Sequence, residues 1–243
     1  MSDLRPGGFR ITKKAMNAWK LPKGSKVLDV GCGTGETLEF LEKEYGFACS
    51  GIDLSMARIK EGKDRDPDLD IKYGDGEFLD DFSSFTFDGA LMECTLSLIN
   101  LPGEALHEAY CVLKKGGKLF ISDLYVKDPD PGFIAALRIE AERQNSRPRK
   151  EGECNTDCED EHKNRPVSFR ADGRLLMEPL MEQLMETGYR NIAWEDCSAE
   201  LNNFVAEKLM QDGTLEGCLC KDALHPKDKF KTGYFMLTAE KPL

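Results

Sequence analysis

Short apolar runs alternate along the chain with stretches in which apolar residues recur every three or four positions. The runs at 27–30, 71–73 and 87–92 have the length of buried strands, whereas 36–45 and 103–113 carry their apolar residues on one side of a helix. When strands and helices alternate in this way, the strands pair in parallel and the helices cover both faces of the sheet. The pattern therefore predicts an α/β fold.

The alternation continues through the rest of the chain. The remaining strands are predicted at 118–124, 191–194 and 233–238, with one more ending at Asp53, and the remaining helices at 11–19, 133–142, 175–187 and 201–210. Seven strands result. An α/β sheet of this kind commonly exceeds about 200 residues as a single unit, so we expect one domain that spans residues 1–243.

The first predicted strand runs directly into a glycine-rich turn. Residues 27–35 read VLDVGCGTG, in which Gly31, Gly33 and Gly35 alternate with other residues. Because glycine has no Cβ, such a turn adopts positive φ and lets a ligand approach the backbone. A site for a dinucleotide and its pyrophosphate usually shows GxGxxG. The GxGxG spacing therefore predicts a nucleotide-sized ligand without a pyrophosphate and argues against a nicotinamide-dependent oxidoreductase.

Carboxylates lie at the ends of the first four predicted strands. They are Asp29, Asp53, Asp75, Glu77 and Glu93. Open α/β sheets bind their ligands at the C-terminal ends of the strands, and a carboxylate about twenty residues beyond the glycine turn contacts ribose hydroxyls. We therefore expect these carboxylates to line one site, with Asp53 on a ribose.

Five ordered segments resemble the class I S-adenosylmethionine-dependent methyltransferases, in particular the type 11, ubiquinone-methyltransferase-like group. They are LDVGCGTG at 28–35, GIDLS at 51–55, YGDGEFL at 73–79, FDGALMEC at 87–94 and VLKKGGKLFISDLY at 112–125. The resemblance implies a Rossmann-like, seven-stranded, mostly parallel sheet whose last strand is antiparallel. It also implies S-adenosyl-L-methionine as the cofactor and methyl transfer to a small-molecule acceptor by in-line displacement.

The same resemblance assigns parts of the cofactor to residues at this edge of the sheet. The backbone of the glycine turn would face the methionine half, Asp53 the ribose, Leu54 the adenine face, and Asp75 with Gly76 the adenine edge. With the neighbouring residues of the turn and strand ends, the candidate cofactor-binding set is Asp29, Gly31, Cys32, Gly33, Gly35, Asp53, Leu54, Asp75, Gly76, Glu77 and Glu93.

Cys94 follows the fourth strand, at the rim where a methyl acceptor must meet the cofactor, and is the candidate catalytic residue. The segments at 92–98, 108–113 and 122–125 resemble the arsenite methyltransferases. Those enzymes hold a trivalent metalloid on several thiols, one of them at the position of Cys94, and soft thiolates suit such an ion. Metalloid methylation is therefore the alternative function. A second alternative is a sensor or partner subunit that binds the nucleoside without catalysis.

A polar stretch separates two of the predicted helices. Residues 142–166 contain no Val, Ile, Leu, Phe or Met and cannot build a core. We expect an insertion or lid at about 142–170, since long structureless insertions are often functional. It contains the weak metal candidates Cys154, Cys158 and His162, one ligand short of a closed zinc site that Cys218 or Cys220 could complete. We predict an exposed loop without a bound metal.

Composition narrows the choice of partners. The formal net charge of −11 argues against nucleic acid, whose binding draws on clustered Lys and Arg. The chain begins without an apolar signal region, and no stretch approaches the ~20 apolar residues of a membrane span. We expect a cytoplasmic protein with no membrane partner, in which the nine cysteines are not disulfide-bonded. No pattern in the sequence indicates an oligomeric state.

Overall fold

The computed structural model describes residues 5–145, 168–215 and 230–243, which contain nine strands and seven helices. The strands are β1 (Lys26–Val30), β2 (Ala48–Asp53), β3 (Ile71–Tyr73), β4 (Phe87–Glu93), β5 (Leu113–Lys127), β6 (Arg170–Ala171), β7 (Arg174–Leu175), β8 (Arg190–Asp196) and β9 (Lys231–Glu240). The helices are α1 (Phe9–Trp19), α2 (Glu36–Tyr45), α3 (Met56–Arg65), α4 (Pro102–Val112), α5 (Pro131–Asn145), α6 (Met177–Thr187) and α7 (Ser198–Asp212). None of these helices has both the length and the apolar composition that crossing a membrane requires.

Seven strands form the main sheet in the order β3-β2-β1-β4-β5-β9-β8. Strands β1 to β5 pair in parallel, and β9 inserts antiparallel between β5 and β8. The prediction of a Rossmann-like, mostly parallel sheet with an antiparallel last strand is confirmed. The hairpin of β6 and β7 was not predicted; it pairs with the end of β5 through Tyr125 and Leu175. Because Leu175 lies in this hairpin, the helix predicted at 175–187 begins only at Met177.

Helices cover both faces of the sheet. One hydrophobic cluster joins the sheet to α4 and α6, and a second joins the opposite face to α1, α2 and α7. In β1, Leu28 and Val30 belong to the first cluster and Val27 to the second, so consecutive side chains are buried on both sides. Burial on both sides explains why these strands appear in the sequence as continuous apolar runs rather than as an alternating pattern.

Helix α2 coincides with the helix predicted at 36–45, whereas α3 has no predicted counterpart. Only Ile59 and Gly62 of α3 are buried, so the recurrence of apolar residues that marks a helix is missing. The signal that remains is its N-cap, Ser55, whose side chain accepts a hydrogen bond from the backbone nitrogen of Arg58.

The range predicted as an insertion or lid, about 142–170, lies largely outside the described residues. Its first residues are helical, because α5 extends through Asn145. Residues 146–167 belong to the part of the chain that the structure does not describe. The insertion and the single-domain organisation of residues 1–243 therefore stay predictions.

Lys241, just after β9, secures the C-terminal end of α4. Its side chain is almost fully buried, and its Nζ donates hydrogen bonds to the carbonyl oxygens of Tyr110 (2.6 Å) and Leu113 (2.9 Å). The ammonium also lies over the rings of Phe85 and Tyr110. Because the last carbonyls of a helix have no partner within the helix, Lys241 satisfies groups that would otherwise be buried unpaired.

Replacing the ammonium of Lys241 tests its contribution to the stability of the fold. Lys241→Met keeps an unbranched apolar side chain but removes the donors and the charge over the two rings, and we expect a loss of about 1 to 3 kcal/mol in the free energy of unfolding. Urea titration measures the loss. The matched control is Lys118→Met, because Lys118 forms a partly exposed ion pair with Glu240, and a solvent-accessible pair contributes less than about 1 kcal/mol. Equal losses in the two variants would contradict the capping role.

Candidate nucleoside-binding site

A cavity of about 450 Å³ opens at the C-terminal ends of β1 to β4. A second cavity of about 190 Å³ adjoins it on the side of the glycine turn, because the two share Gly31, Arg58, Glu93 and Cys94 in their walls. The predicted site residues that line one or both cavities are Gly31, Cys32, Gly33, Asp53, Leu54, Asp75, Gly76, Glu77, Glu93 and Cys94. The other two, Asp29 and Gly35, are not among the wall residues of these cavities.

The glycine turn requires its glycines. Gly31, Gly33 and Gly35 have φ values of 82°, 58° and 81°, in the left-handed region that other residues rarely adopt. A Cβ on Gly31 would lie 2.3 Å from Oγ1 of Thr95. The amides of the three glycines are already bonded within the protein, and that of Gly33 donates to Asp53. The turn therefore presents bare backbone to the cavity rather than free amide donors.

Asp53 lies at the centre of the candidate site, at the end of β2. Its Oδ2 accepts a hydrogen bond from the amide of Gly33 (2.8 Å), and its Oδ1 accepts one from the amide of Ser55 (2.7 Å). Each carboxylate oxygen has a second lone pair available, so Asp53 can hold the loop and still accept bonds from hydroxyls in the cavity.

The same cavity has uncovered apolar walls. Leu54 and Leu98 are 57% and 53% exposed, and both line the cavity together with Ile99. Large apolar side chains with this exposure beside a carboxylate are typical of a ligand pocket, in which a few polar groups fix the orientation of an apolar ring.

Glu77 anchors one side of the loop that joins β4 to α4, residues 94–101. Its Oε1 accepts hydrogen bonds from the amides of Asn100 and Leu101, both at 3.0 Å, where α4 begins. Asp75 in turn accepts a hydrogen bond from the amide of Glu77. One oxygen of Glu77 therefore has a structural role in the wall of the cavity, beside any role in ligand binding.

Two residues that the sequence interpretation missed anchor the other side of this loop. Asp123 of β5 is buried and accepts hydrogen bonds from the amide (2.8 Å) and hydroxyl (2.7 Å) of Ser97. Arg170 of β6 donates to the carbonyl oxygen of Ile99. A single acid within the apolar strand at 118–124 was a usable signal for Asp123, because a buried charge needs partners. Arg170 has no comparable signal.

Glu93, at the end of β4, binds three side chains from the N-terminal part of the chain. Its carboxylate accepts hydrogen bonds from the hydroxyls of Thr12 (2.6 Å) and Thr37 (3.1 Å), and Nη1 of Arg5 lies 3.4 Å from Oε2. Asp29 is buried nearby. Burial and the charge of Glu93 raise the pKa of Asp29 well above its ordinary value, and Arg5 only partly offsets this.

Cys94 is held as a neutral thiol at the junction of the two cavities. Its backbone is left-handed, with φ 54°, which is costly for a residue other than glycine and is typical of functional sites. Its Sγ lies 3.2 Å from the hydroxyl of Tyr234. Burial, together with the charge of Asp123, raises the pKa of the thiol to about 12. The thiolate that a metalloid ligand requires is therefore not favoured at neutral pH.

The other described cysteines, Cys32, Cys49, Cys111 and Cys197, are free thiols. Across 5–145, 168–215 and 230–243, no group of three His, Cys, Asp or Glu side chains is arranged to hold a metal ion. The weak metal candidates Cys154, Cys158 and His162 lie outside these ranges.

The buried Asp123 gives the stability of the protein a predictable pH dependence. Burial raises its pKa to about 6, against the opposing effect of the hydrogen bonds it accepts. The folded state then binds a proton more tightly than the unfolded state, so this group stabilises the fold at low pH, and its contribution disappears as pH rises towards 6. Asp123→Asn cannot gain this proton, so its cost should be larger at pH 4 than at pH 7, by up to about 3 kcal/mol.

Urea unfolding of wild type and Asp123→Asn at a series of pH values measures this difference. Asp81→Asn is the control, because Asp81 is exposed and its replacement should change stability little at any pH. A cost of Asp123→Asn that is independent of pH would contradict the raised pKa.

Comparison with known proteins agrees with this arrangement. Residues 28–121 match the model of a family described as a methyltransferase domain, which confirms the class I resemblance over this range. The ubiquinone/menaquinone biosynthesis C-methyltransferase UbiE of Cereibacter sphaeroides strain ATCC 17029 is 35% identical over 140 residues, covering 54% of this chain and 55% of that protein. An O-methyltransferase of Pyrenophora dematioidea is 26% identical in sequence, covering 96% of this chain and 80% of that protein. The chain spans about half the length of the UbiE relatives it matches.

Solved structures share the fold. The cyclase SpnF has a TM-score of 0.67 at 23% identity, covering 97% of this chain and 82% of that one. A geranyl diphosphate C-methyltransferase from Streptomyces coelicolor A3(2) has a TM-score of 0.66 at 13% identity, covering 94% of this chain and 77% of that one. It was solved with Mg²⁺, geranyl diphosphate and S-adenosyl-L-homocysteine. At these identities the likeness concerns the fold alone, and the two names show that one fold serves different reactions.

Proposed function

We propose that this chain, in which residues 28–121 match a methyltransferase-domain family, binds S-adenosyl-L-methionine at the C-terminal edge of its sheet and transfers the methyl group to a small-molecule acceptor. The observation that carries the proposal is the single cavity around which Asp53, the exposed Leu54 and the bare glycine turn meet. The UbiE relatives and a 2-methyl-6-phytyl-1,4-hydroquinone methyltransferase of Synechocystis are named for quinone-type acceptors. We therefore take a small hydroquinone or phenol as the first acceptor class.

The residues present fit such a cofactor. Asp53 offers lone pairs to the ribose hydroxyls, and the uncovered side chains of Leu54 and Leu98 offer apolar surface to the adenine. The smaller cavity beside the glycine turn remains for the amino-acid half. When bound, S-adenosylmethionine supplies an electrophilic methyl group on a sulfonium. The protein binds and orients both reactants.

The chemistry of the described cavity walls favours an acceptor that needs little help from a base. The two glutamates that line the larger cavity, Glu77 and Glu93, are both engaged as hydrogen-bond acceptors. Glu93 is bonded to two threonine hydroxyls and lies beside Arg5, and Glu77 is bonded to two loop amides. The described histidine, His107, lies near Cys111 on α4 and does not line the cavity. The rate of methyl transfer is then increased mainly by positioning the two reactants and excluding water from the site. Such a site suits an acceptor that is already nucleophilic, such as an electron-rich aromatic ring or its phenolate.

Binding distinguishes this function from nicotinamide chemistry. Isothermal titration should give micromolar affinity for S-adenosylmethionine and S-adenosylhomocysteine and no binding of NADH. Incubation with methyl-deuterated S-adenosylmethionine and a panel of hydroquinones, phenols and As(III), followed by mass spectrometry, then identifies the acceptor. Methylation of As(III) alone would support the metalloid alternative. Binding without any methylated product would support the non-catalytic alternative.

Asp53 provides the sharpest single-residue test of the proposed site. Asp53→Ala removes the charged acceptor for the ribose hydroxyls and should weaken S-adenosylhomocysteine binding by roughly 1 to 3 kcal/mol. Asp53→Asn retains one acceptor oxygen, enough for one of the Gly33 and Ser55 amides, and should lose less. The control is Asp68→Ala, on the exposed turn after α3, which should bind as wild type does. Unchanged affinity in Asp53→Ala would show that the ribose lies elsewhere.

A further inference from the structure

Arg5 reaches the smaller cavity from the segment that precedes α1. Its side chain lines this cavity together with the glycine turn, Thr37 and Glu93. Nη1 donates a hydrogen bond to Oγ1 of Thr37 at 2.8 Å and lies 3.4 Å from Oε2 of Glu93. A residue from the start of the chain therefore forms part of the wall at the amino-acid end of the proposed cofactor site.

The guanidinium of Arg5 is held in place by a folded turn. The amide of Gly8 donates to the carbonyl of Arg5 at 3.1 Å, which closes the turn before α1. The guanidinium carbon lies 4.8 Å from the ring centroid of Phe9, and that ring stacks on Phe40 of α2 at 4.3 Å. Gly7 is left-handed, with φ 72°. These contacts fix Arg5 against the same helix that follows the glycine turn.

One donor of this guanidinium is unused. Nε of Arg5 is buried and has no hydrogen-bond partner among the described residues. A buried donor on a charged group is costly to leave unpaired, and native structures rarely do so. An acceptor supplied by a ligand would remove this cost.

The charges beside Arg5 indicate which charged groups such a ligand has. Glu93 lies beside Arg5 in the wall of the smaller cavity. A cation next to a carboxylate is complementary to a zwitterion, whose carboxylate meets the guanidinium and whose ammonium meets Glu93. An α-amino acid has both groups on one carbon.

We propose that Arg5 recognises the carboxylate of the amino-acid half of S-adenosylmethionine and so distinguishes the complete cofactor from nucleosides that lack an amino acid. The inference rests on the function proposed above and assigns a specificity residue to the same site. Arg5 makes this contact while it remains beside Glu93, whose negative charge lies next to the ammonium of the ligand.

Arg58 is the competing candidate, because it is the other cation in the described wall of the smaller cavity. Its Nη1 would lie 3.3 Å from a Cβ placed on Gly33. Arg58 also lines the larger cavity, to which Asp53 and Leu54 contribute. Arg5 lines only the smaller of these two cavities and carries the unpaired donor, so the observations favour Arg5.

Two ligands separate carboxylate recognition from binding of the nucleoside. S-adenosylhomocysteine carries the amino acid, whereas 5′-methylthioadenosine has the same adenosine and thioether without it. Isothermal titration of both with Arg5→Met should show S-adenosylhomocysteine affinity reduced by about 10- to 100-fold, the range for hydrogen bonds to charged groups. The affinity for 5′-methylthioadenosine should not change, and its retention also shows that the variant is folded.

Three further variants sharpen the test. Arg5→Lys keeps a cation and should recover part of the lost affinity. Arg10→Met removes the same charge from the exposed side of α1 and should bind both ligands as wild type does. Arg58→Met should not lose S-adenosylhomocysteine selectively.

Two results would overturn the inference. One is an equal loss of both ligands in Arg5→Met, which would make Arg5 purely structural, and the other is a selective loss in Arg58→Met instead. If neither ligand binds the wild-type protein, the proposed function fails first, and the role of Arg5 fails with it.

Discussion

Parallel pairing of β1 with β2 on one side and β4 on the other is the constraint on which the site depends. This pairing brings the loops after all three strands to one edge of the sheet, although they are far apart in the sequence. Gly31, Asp53 and Cys94 line one cavity for this reason. The close approach of the loops also explains the glycine, since any side chain on Gly31 would occupy the space of Thr95.

Buried carboxylates then keep these loops in place. Glu77 and Asp123 bind amides of the loop after β4 from two sides, and Glu93 binds hydroxyls from α1 and α2. Each carboxylate is partnered, which offsets the cost of burying its charge. Glu77 and Glu93 lie where the sequence suggested ligand contacts, and much of their hydrogen-bonding capacity is used within the protein. The cavity is therefore largely shaped before a ligand enters, a condition that favours catalysis by positioning.

Short-range sequence patterns predicted those elements whose conformation is set by residues close together along the chain. The glycine turn and the helix at 36–45 follow from short-range spacing, and the order of motifs fitted the sheet that the structure contains. Helix α3 was not predicted because only two of its residues are buried. The hairpin of β6 and β7 was not predicted because each of its strands has only two residues. Arg5 and Arg170 contact partners 32 and 71 residues away along the chain. No periodicity encodes such contacts.

We expect one cavity at the C-terminal edge of the sheet to hold the methyl donor, and a crystal structure of the protein with S-adenosylhomocysteine would show whether it does. The ribose hydroxyls should lie within hydrogen-bonding distance of Asp53, the adenine against Leu54, and the amino-acid half beside the glycine turn. Density for the ligand at any other place on the protein, with this cavity filled only by water, would contradict this expectation.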